Sequence, residues 1–466
     1  MRLVAGVDCS TQSTKVVVCD AQTGKVVREG RASHPDVTEV DPAVWWQAWE
    51  QACDGLLDEV EALAVGGQQH GMVLVDEDGA PVRDALLWND NRSAPQAAAL
   101  IEELGGPQAW ASATGSVPVA SFTVTKLRWV AEQEPEVAER AAGVMLPHDW
   151  ITQRLRGGAG EPTTDRGDAS GTGYWSPAEG AYRTDLLRAA FGRELALPRV
   201  AGPHEAVGET RDGVLLAPGT GDNMGAALGL ELEPGDVVVS LGTSGTVFAV
   251  ADRPTADASG IIAGFADATG RFLPLACTLN AARVVGSALR MAGAELADLD
   301  RLALSVDGTE GLVLLPFLDG ERTPPLPDAR GLLHGLTRAN ATPGHLVRAS
   351  VEGMLCGLAD AVDALDASGV APRRIVLIGG AARSAAVQRI AAGLFALPVL
   401  LPEPAEYVAL GAARQAAWTL SGDGAPPRWA VGTSVVEPDD DHADYYRGVR
   451  SSYTSVLSGA RPLLGG

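Results

Sequence analysis

Apolar stretches separated by short polar turns fill the first thirty residues of the chain, and this pattern predicts β-strands. The stretches are residues 3–8 and 15–20, which are largely apolar, and residues 25–29, whose apolar part is Val26-Val27. Polar or glycine-containing turns at residues 10–14 and 22–24 join them. Short turns between consecutive strands favour antiparallel pairing. The sequence therefore predicts a three-stranded antiparallel meander at the start of the chain.

The pattern then changes to helical spacing. A helix is predicted from Pro42, because proline suits the first turn of a helix. An apolar stripe at helical spacing supports it, formed by Trp45, Trp46, Trp49 and Cys53. We interpret these tryptophans as core residues. Beyond residue 62, short apolar runs alternate with helical patterns, as at 62–65, 72–75 and 143–146, and this alternation indicates an α/β fold.

The strand–turn–strand pattern of the N-terminus recurs near the middle of the chain. Residues 236–241 predict a strand, residues 242–246 a turn and residues 247–250 the returning strand. Thr243 takes the place of Thr11 in this second copy, about half a chain later. A repeated supersecondary unit indicates repeated architecture. We expect two similar domains that meet near residues 233–235, each presenting one Ser/Thr/Gly-rich hairpin to a cleft between them.

A carboxylate stands in a glycine-rich segment just before that second copy, in the run Gly219-Thr220-Gly221-Asp222-Asn223. Glycine allows the backbone to approach a ligand closely and to adopt positive φ. This favours Asp222 as a functional acid. The alternative is that Asp222 simply caps a following helix. The segment by itself leaves both interpretations open.

A third small-residue loop follows the predicted strand 375–378, at Gly379-Gly380-Ala381, with a helix predicted from Ser384. The backbone of such a loop can approach a nucleotide, with the helix N-terminus nearby. A tight strand-to-helix turn is the alternative. The chain then turns acidic at residues 437–441, which we interpret as solvated. A final helix predicted at residues 443–457 is expected to dock back onto the C-terminal domain.

Composition narrows the range of partners. The chain has 466 residues, enough for two or three domains, and a net charge of −23, which argues against nucleic-acid and anionic-membrane partners. Its five cysteines form no Cys-x-x-Cys pair, so we expect reduced, mostly buried thiols. Neither a leader segment nor an apolar run of membrane-spanning length is evident, and we expect a cytoplasmic protein. The oligomeric state is left open, with a homodimer as the candidate assembly.

Taken together, these motifs resemble those of the FGGY carbohydrate kinases, within the actin-like, hexokinase-like superfamily. Residues 8–15 and 242–245 are similar to the two phosphate hairpins of that family, and residues 121–133 and 331–352 to its two long signatures. The resemblance implies an α/β fold of two actin-like, ribonuclease H-like ATPase domains with a ligand cleft between them. It implies a sugar-binding domain over residues 1–234 and a nucleotide-binding domain over residues 235–466.

Within the family, the resemblance is strongest to the branch that acts on D-xylulose. The segments that carry it are Gln68-Gln69-His70-Gly71, Trp88-Asn89-Asp90-Asn91-Arg92 and Gly320-Glu321-Arg322-Thr323-Pro324. It implies phosphorylation of D-xylulose by ATP to D-xylulose 5-phosphate in xylose catabolism, with D-xylulose and ATP as the partners. Two alternatives stay open: a kinase of the same family for another ketose or polyol, and a non-catalytic actin-like module that binds nucleotide.

The same resemblance implies roles for individual residues. Asp222 is expected to be the catalytic base, because a sugar hydroxyl needs a proton acceptor, and the sugar-binding residues are Gln69, His70, Asp222 and Asn223. Asp8 is expected to hold Mg²⁺, a cation that prefers oxygen ligands and keeps several waters; a strand-end turn residue is the alternative. Nucleotide binding is expected at Thr11, Gln12, Gly242, Thr243, Gly379, Gly380 and Ala381. Ser10 and Ala381 depart from the family pattern, which more often has glycine at both positions.

Overall fold

A computed structural model of the chain describes residues 1–464, which form two compact units. Unit one consists of Met1–Leu232, Ala251–Pro274 and Ala405–Val431. Unit two consists of Glu233–Val250, Leu275–Pro404 and the C-terminal segment from Gly432. The units are defined by packing alone, so the assignment of residues 1–234 to sugar and residues 235–466 to nucleotide stays a prediction.

Short strands and helices alternate through the first half of the chain. Its elements are β1 (Leu3–Cys9), β2 (Ser13–Asp20), β3 (Val26–Ser33), β4 (Glu39–Val40), α1 (Pro42–Cys53), β5 (Val60–Gly67), β6 (Val73–Val75), β7 (Ala85–Leu86), α2 (Ala94–Glu103), α3 (Pro107–Thr114), α4 (Thr123–Gln133), α5 (Pro135–Arg140), β8 (Gly143–Met145), α6 (Pro147–Leu155), β9 (Thr163–Thr164), α7 (Arg166–Ala169), β10 (Trp175–Ser176), β11 (Ala181–Tyr182), α8 (Thr184–Phe191), β12 (Arg199–Val200), β13 (Gly208–Glu209), β14 (Leu215–Leu216), β15 (Thr220–Gly221) and α9 (Asp222–Gly229).

The second half opens with strands and becomes largely helical. Its elements are β16 (Asp236–Leu241), β17 (Gly245–Ala249), β18 (Ala263–Ala266), β19 (Phe272–Thr278), α10 (Ala282–Met291), α11 (Leu299–Ala303), β20 (Val313–Leu315), β21 (Leu332–His334), α12 (Pro343–Ala367), β22 (Arg374–Ile378), α13 (Ala385–Phe395), β23 (Val399–Pro402), α14 (Tyr407–Ser421), β24 (Thr433–Val436) and α15 (Ala443–Ala460). Short 3₁₀ turns lie at Leu296–Asp298, Gly380–Arg383, Asp440–His442 and Arg461–Leu463.

The main sheet of unit one combines an antiparallel meander with parallel strands. Its order is β13-β14-β5-β1-β2-β3, and β15 also pairs with β5. β1, β2 and β3 pair antiparallel, whereas β1, β14 and β15 each run parallel to β5. The carboxyl ends of parallel strands meet at one edge of a sheet. The ends of β1, β5 and β15 therefore converge, which decides where the polar side chains of this unit meet.

Unit two contains a second mixed sheet. Six of its strands follow the order β19-β17-β16-β22-β23-β24. β16 and β17 form an antiparallel hairpin, and β22 runs parallel to β16 with Ser240 opposite Ile378. The turn after β16 and the loop after β22 thus lie side by side at one edge of this sheet. The predicted second hairpin and the predicted strand before Gly379 are both confirmed.

Helix α14 joins unit one although it comes from the last part of the sequence. It packs against α9 with backbone close to backbone: a Cβ built on Gly411 would lie 1.8 Å from the carbonyl oxygen of Gly225. A Cβ on Gly6 of β1 would likewise lie 1.9 Å from the carbonyl oxygen of Ala409. Only glycine fits at these two crossings, and the three elements are held at fixed distances from one another.

Local predictions agree closely with the structure. The meander is confirmed, and α1 begins at Pro42, with Trp45 and Trp49 buried in the core. Helix α13 begins one residue after Ser384, whose side chain caps it, and α15 covers the predicted C-terminal helix. Cys277 is partly exposed and the other four cysteines are buried; none is in a disulfide. Between residues 1 and 464, the structure contains no helix with the length and apolar character needed to cross a bilayer.

Candidate functional site

Polar residues gather where three neighbouring strands of unit one end. β1 ends just after Asp8, β5 ends just before Gln68 and Gln69, and β15 ends directly before Asp222. The register is parallel, with Gly67 of β5 opposite Cys9 on one side and Gly221 on the other. Topology therefore brings together three of the predicted functional segments, which are far apart in the sequence.

Asp222 is the first residue of α9. The residue that caps this helix is Gly221, so the alternative interpretation of Asp222 as a helix cap is wrong. Its Oδ1 instead accepts hydrogen bonds from the backbone nitrogen and the side-chain nitrogen of Asn223, both at 2.8 Å. Burial, reinforced by the negative charge of Asp8, raises the pKa of Asp222 to about 7. A carboxylate with a pKa near neutrality is well suited to accept a proton.

Asn223 connects Asp222 to the end of β5. Its Nδ2 donates to Oε1 of Gln69 at 2.9 Å, as well as to Asp222. Gln69 is buried, and within residues 1–464 its Nε2 has no hydrogen-bond partner. A buried donor without a partner carries a desolvation penalty that a ligand can relieve. Gln69, Asn223 and Asp222 thus form one continuous polar surface.

His70 lies beside this surface in an unusual backbone conformation. Its φ is +66°, in the left-handed region that bulky residues rarely adopt. The ring Nδ1 lies 2.6 Å from the carbonyl oxygen of Gly171, and the ring packs against Phe122 and Phe265 at centroid distances of 4.7 and 5.7 Å. Because a carbonyl oxygen can only accept, Nδ1 carries the proton. The orientation and tautomer of the imidazole are therefore set by Gly171.

Asp8 lies at the end of β1 and is 2% exposed. Its Oδ1 accepts a hydrogen bond of 2.7 Å from Ser10, and its Oδ2 lies 3.2 Å from Nζ of Lys15, directly opposite on β2. Burial raises the pKa of Asp8, and the neighbouring Lys15 and Ser10 partly offset this shift. Lys15 also reaches Glu406 at 2.7 Å. A carboxylate stabilised in this way can be ionised despite its burial.

The oxygen atoms of Asp8 are chemically suited to Mg²⁺, which binds through one or two carboxylates and keeps several waters. Among residues 1–464, no group of three or more histidine, cysteine, aspartate or glutamate side chains is arranged to hold a metal ion. The two conspicuous carboxylates, Asp8 and Asp222, lie close enough for the charge of one to raise the pKa of the other. The role of Asp8 in holding Mg²⁺ stays a prediction.

The first hairpin connects β1 and β2. Thr11 accepts a 2.8 Å hydrogen bond from the indole nitrogen of Trp88, and the backbone carbonyl of Gln12 accepts one of 2.7 Å from His34. The imidazole of His34 contacts the carbonyl oxygen of Ser10 at 3.0 Å. Gln12 itself is exposed. Trp88 and His34 therefore both hold the hairpin, and Gln12 at its tip stays accessible.

The remaining residues that are predicted to bind nucleotide lie in unit two. Gly242 and exposed Thr243 form the turn after β16, and their carbonyl oxygens accept hydrogen bonds from Ala282 and Ala281 at 3.0 and 3.3 Å. Gly379, with φ at +97°, packs against Leu241, where a Cβ would lie 2.6 Å from the carbonyl oxygen. Gly380 and Ala381 follow in a 3₁₀ turn. Both predicted loops thus share one edge of the sheet, and their role in nucleotide binding stays a prediction.

Helix α14 fixes the glycine-rich segment before Asp222. The side chain of Gln415 accepts a 3.0 Å hydrogen bond from the nitrogen of Gly219 and donates a 2.9 Å bond to its carbonyl oxygen. Arg414 donates to the carbonyl oxygen of Leu228 at 2.7 Å, near the other end of α9. The backbone on both sides of Asp222 is therefore anchored to a helix nearly two hundred residues later.

Sequence reasoning missed several of these contacts. The ion pair between Lys15 and Asp8 could have been found, because a tight hairpin places these two positions opposite each other. The contacts of Trp88 with Thr11 and of Gln415 with Gly219 join distant segments, and nothing local in the sequence indicates them. The hydroxyl of Ser10, at a position where the family more often has glycine, adds a donor to Asp8 that a glycine would lack.

Family profiles match most of the chain. The profile of the N-terminal domain of the FGGY family of carbohydrate kinases matches residues 3–229. The profile of its C-terminal domain matches residues 237–420. Both halves of the fold are thus accounted for by one family, in the order predicted.

Whole-length relatives agree with the profiles. A xylulose kinase of Streptomyces coelicolor is 50% identical over 99% of this chain and 97% of its own length. A xylulose kinase of Streptomyces rubiginosus is 48% identical, with the same coverage. Among solved structures, the xylulose kinase from Bifidobacterium adolescentis is 44% identical and has a TM-score of 0.89, covering 97% of this chain and 99% of its own. The α/β architecture of two actin-like domains is confirmed by this similarity.

Proposed function

The chain belongs to the FGGY family of carbohydrate kinases, and we propose that it transfers the γ-phosphoryl group of ATP to D-xylulose. The full-length similarity to xylulose kinases supports this substrate. In the proposed reaction the O5–H bond of the sugar breaks and an O5–P bond forms, while the bond to the β-phosphate of ATP breaks. The products are D-xylulose 5-phosphate, ADP and a proton, and the product would enter xylose catabolism.

One observation supports the chemistry most directly, namely the polar surface at the ends of β5 and β15. It contains a partly buried acid with a pKa near neutrality, Asp222, and a buried amide donor without a partner, on Gln69. A base for a hydroxyl and a donor for a neighbouring oxygen are what a sugar kinase requires on its acceptor side. A non-catalytic nucleotide-binding module would need neither group.

We assign the proton transfer to Asp222. Both contacts from Asn223 reach Oδ1, so Asn223 leaves Oδ2 to the sugar. We assign Oδ2 as the oxygen that accepts the proton of O5. Gln69, His70 and Asn223 would bind the remaining hydroxyls, and the Nδ1–H tautomer of His70 gives its Nε2 the role of acceptor.

Phosphate binding depends little on lysine in this chain, whose lysines are Lys15, Lys25 and Lys126. We assign it to the backbone N–H groups and threonine hydroxyls of the hairpins, at Thr11 and Gln12 in unit one and at Gly242 and Thr243 in unit two. The loop of Gly379, Gly380 and Ala381 would carry the adenine side. Asp8 would hold Mg²⁺ through water, and the bound ion would neutralise charge on the phosphate oxygens.

ADP formation tests the proposal. The purified protein with MgATP should release ADP rapidly only when D-xylulose is added, with one ADP per sugar phosphate. Phosphorus and carbon NMR of the product should place the phosphate on C5. Two results would contradict the proposal: ADP release that does not depend on the sugar, or a phosphate on another carbon.

A further inference from the structure

A histidine and three aspartates form a buried cluster behind the proposed sugar site. His148, on α6, has no exposed surface, and its Nε2 lies 3.3 Å from Asp149, Asp165 and Asp168. The three aspartates are at most 3% exposed. Buried charges are expensive unless they are paired. One cation at the centre of three carboxyl groups is the arrangement that lowers this cost.

The contacts of His148 are electrostatic. In the described part of the chain, neither ring nitrogen of His148 and neither carboxylate oxygen of Asp168 is aligned with a hydrogen-bond partner. Burial alone would lower the pKa of His148, but the charges of the three aspartates outweigh it and raise the pKa to about 9. Burial raises the pKa of Asp149 to about 6 and that of Asp168 well above its usual range. The other titratable groups around these carboxylates are Tyr174, Tyr182 and Asp222.

Two of the three aspartates also accept hydrogen bonds from backbone nitrogens. Asp149 accepts a 2.8 Å hydrogen bond from the nitrogen of Leu146 at the start of α6. Asp165 caps α7, accepting from the nitrogens of Gly167 and Asp168 at 2.8 and 3.0 Å. The cluster therefore fixes α6 and α7 relative to each other through one imidazole ring.

Two paths lead from the cluster to the proposed sugar site. Gly171 follows α7 by two residues, and its carbonyl oxygen is the group that sets the His70 ring, 2.6 Å from Nδ1. Gly219, which begins the segment leading to Asp222, packs against the other side of His148: a Cβ there would lie 2.6 Å from its Nδ1. A shift of α7 would thus displace His70, and a shift of the imidazole would displace Gly219.

We propose that His148 is a positioning residue: as a buried imidazolium it holds α7 through Asp165 and Asp168, so that Gly171 keeps His70 oriented toward the sugar. This inference rests on the proposed function, because it takes His70 to be a sugar contact. It concerns sugar affinity, because the contacts traced from the cluster end at His70 and at the segment before Asp222. The positive charge of His148, more than the shape of its ring, is the property that holds α7 in place.

The charge state is tested first, on the wild-type protein without substrate. The proton-coupled ¹⁵N resonances of the histidine rings should show one imidazolium at about pH 7.5, well above the ordinary histidine pKa of about 6.5. The seven histidines are few enough to resolve. Asp165→Asn keeps a capping oxygen but removes one negative charge. In this variant the imidazolium resonance should titrate at a lower pH, and this change assigns the resonance to His148. A neutral ring at that pH, or no shift in the variant, would overturn the proposal.

Positioning is tested by kinetics with matched variants. His148→Gln should raise the KM for D-xylulose by about ten- to a hundredfold, as a displaced positioning group can, with the KM for ATP unchanged. His148→Lys restores a cation and should recover most of the sugar affinity. His204→Gln, which removes a partly buried ring stacked on Trp418, is the control and should match the wild type.

Three outcomes would overturn the positioning role: equal impairment of the Gln and Lys variants, a parallel rise in both KM values, or unchanged KM values in His148→Gln. If His148→Gln fails to fold while His148→Lys folds and works, the need for charge is supported. If both fail to fold, the Asp165→Asn resonance test still decides the charge state. An inactive wild-type protein would refute the proposed function and leave that resonance test valid.

Discussion

Nδ2 of Asn223 lies 2.9 Å from Oε1 of Gln69, and the same nitrogen lies 2.8 Å from Oδ1 of Asp222. One side-chain amide thus joins the end of β5 to the first turn of α9. The contact orients the amide of Gln69 so that its Nε2, the donor, points away from Asn223. The base and the donor that we assign to the sugar are therefore held by one shared neighbour.

Replacing the proposed base should abolish most of the turnover. Asp222→Asn should lower kcat by about 10²–10⁴-fold, the usual contribution of a general base. The fold should persist, because asparagine keeps an oxygen for the two donors of Asn223 and removes a carboxylate whose charged form is disfavoured by burial. The exposed Asp212→Asn is the matched control. Turnover near the wild-type rate in Asp222→Asn would end this assignment.

The pH dependence of kcat/KM should report the titration of Asp222. Asp222 must be deprotonated to act as a base, and its pKa is raised to about 7, so kcat/KM should fall below about pH 7. The fall should approach tenfold per pH unit, as expected for one essential deprotonated group. ADP can be measured chromatographically from about pH 5.5 to 8.5, without coupling enzymes. A flat profile down to the acid end would mean that another group, or none, accepts the proton.

Removing Lys15, the ion-pair partner of Asp8, should weaken the binding of Mg²⁺. The charge of Lys15 lowers the pKa of Asp8, so Lys15→Gln should raise that pKa and protonate a larger share of the carboxylate. Metal ligands must be deprotonated, and the Mg²⁺ concentration at half-maximal rate should rise, by up to about tenfold for each pKa unit. Lys25→Gln, an exposed lysine of the same meander, should leave it unchanged. An identical Mg²⁺ dependence in both variants would argue against Asp8 as the residue that holds Mg²⁺.

The contact between α14 and α9 should tolerate no side chain. Gly411→Ala would place a Cβ 1.8 Å from the carbonyl oxygen of Gly225. Overpacking of this kind costs about 1–3 kcal/mol, and we expect that loss in the free energy of unfolding, measured with urea. Activity should fall as well, because Asp222 begins α9. Gly424→Ala, in open space after α14, is the control. Equal stability of the two variants would show that α14 and α9 can separate without penalty.

Alternation and repetition in the sequence were enough to predict the meander of unit one and the hairpin of unit two. The antiparallel pairing of β1 with β2 and of β16 with β17 follows from apolar runs that flank short polar turns. The segments of Asp8, Gln69 and Asp222 were each singled out, and the parallel pairing of β1, β5 and β15 explains why they meet. Strand order among distant segments has no local signal, so their convergence was known only through the family resemblance.

Other parts of the site could not be predicted, for physical reasons that differ from residue to residue. Helix α14 has an apolar, small-residue pattern that does not indicate which helix it packs against. Its contact with α9 depends on two glycines, Gly225 and Gly411, that look like ordinary helix-weakening residues. His148 is a single histidine with only one aspartate beside it, Asp149, and its other two aspartates lie more than fifteen positions away. Such a cluster exists only after folding.

Substrate choice is the central claim, and a panel of acceptors tests it most directly. Initial rates of ADP formation should be measured at saturating MgATP for D-xylulose, L-ribulose, D-ribulose, D-fructose and glycerol. We expect the highest kcat/KM for D-xylulose, because each buried polar group left without its hydroxyl costs about 1–3 kcal/mol. A higher kcat/KM for glycerol or L-ribulose than for D-xylulose would contradict the account and assign the chain to another branch of the family.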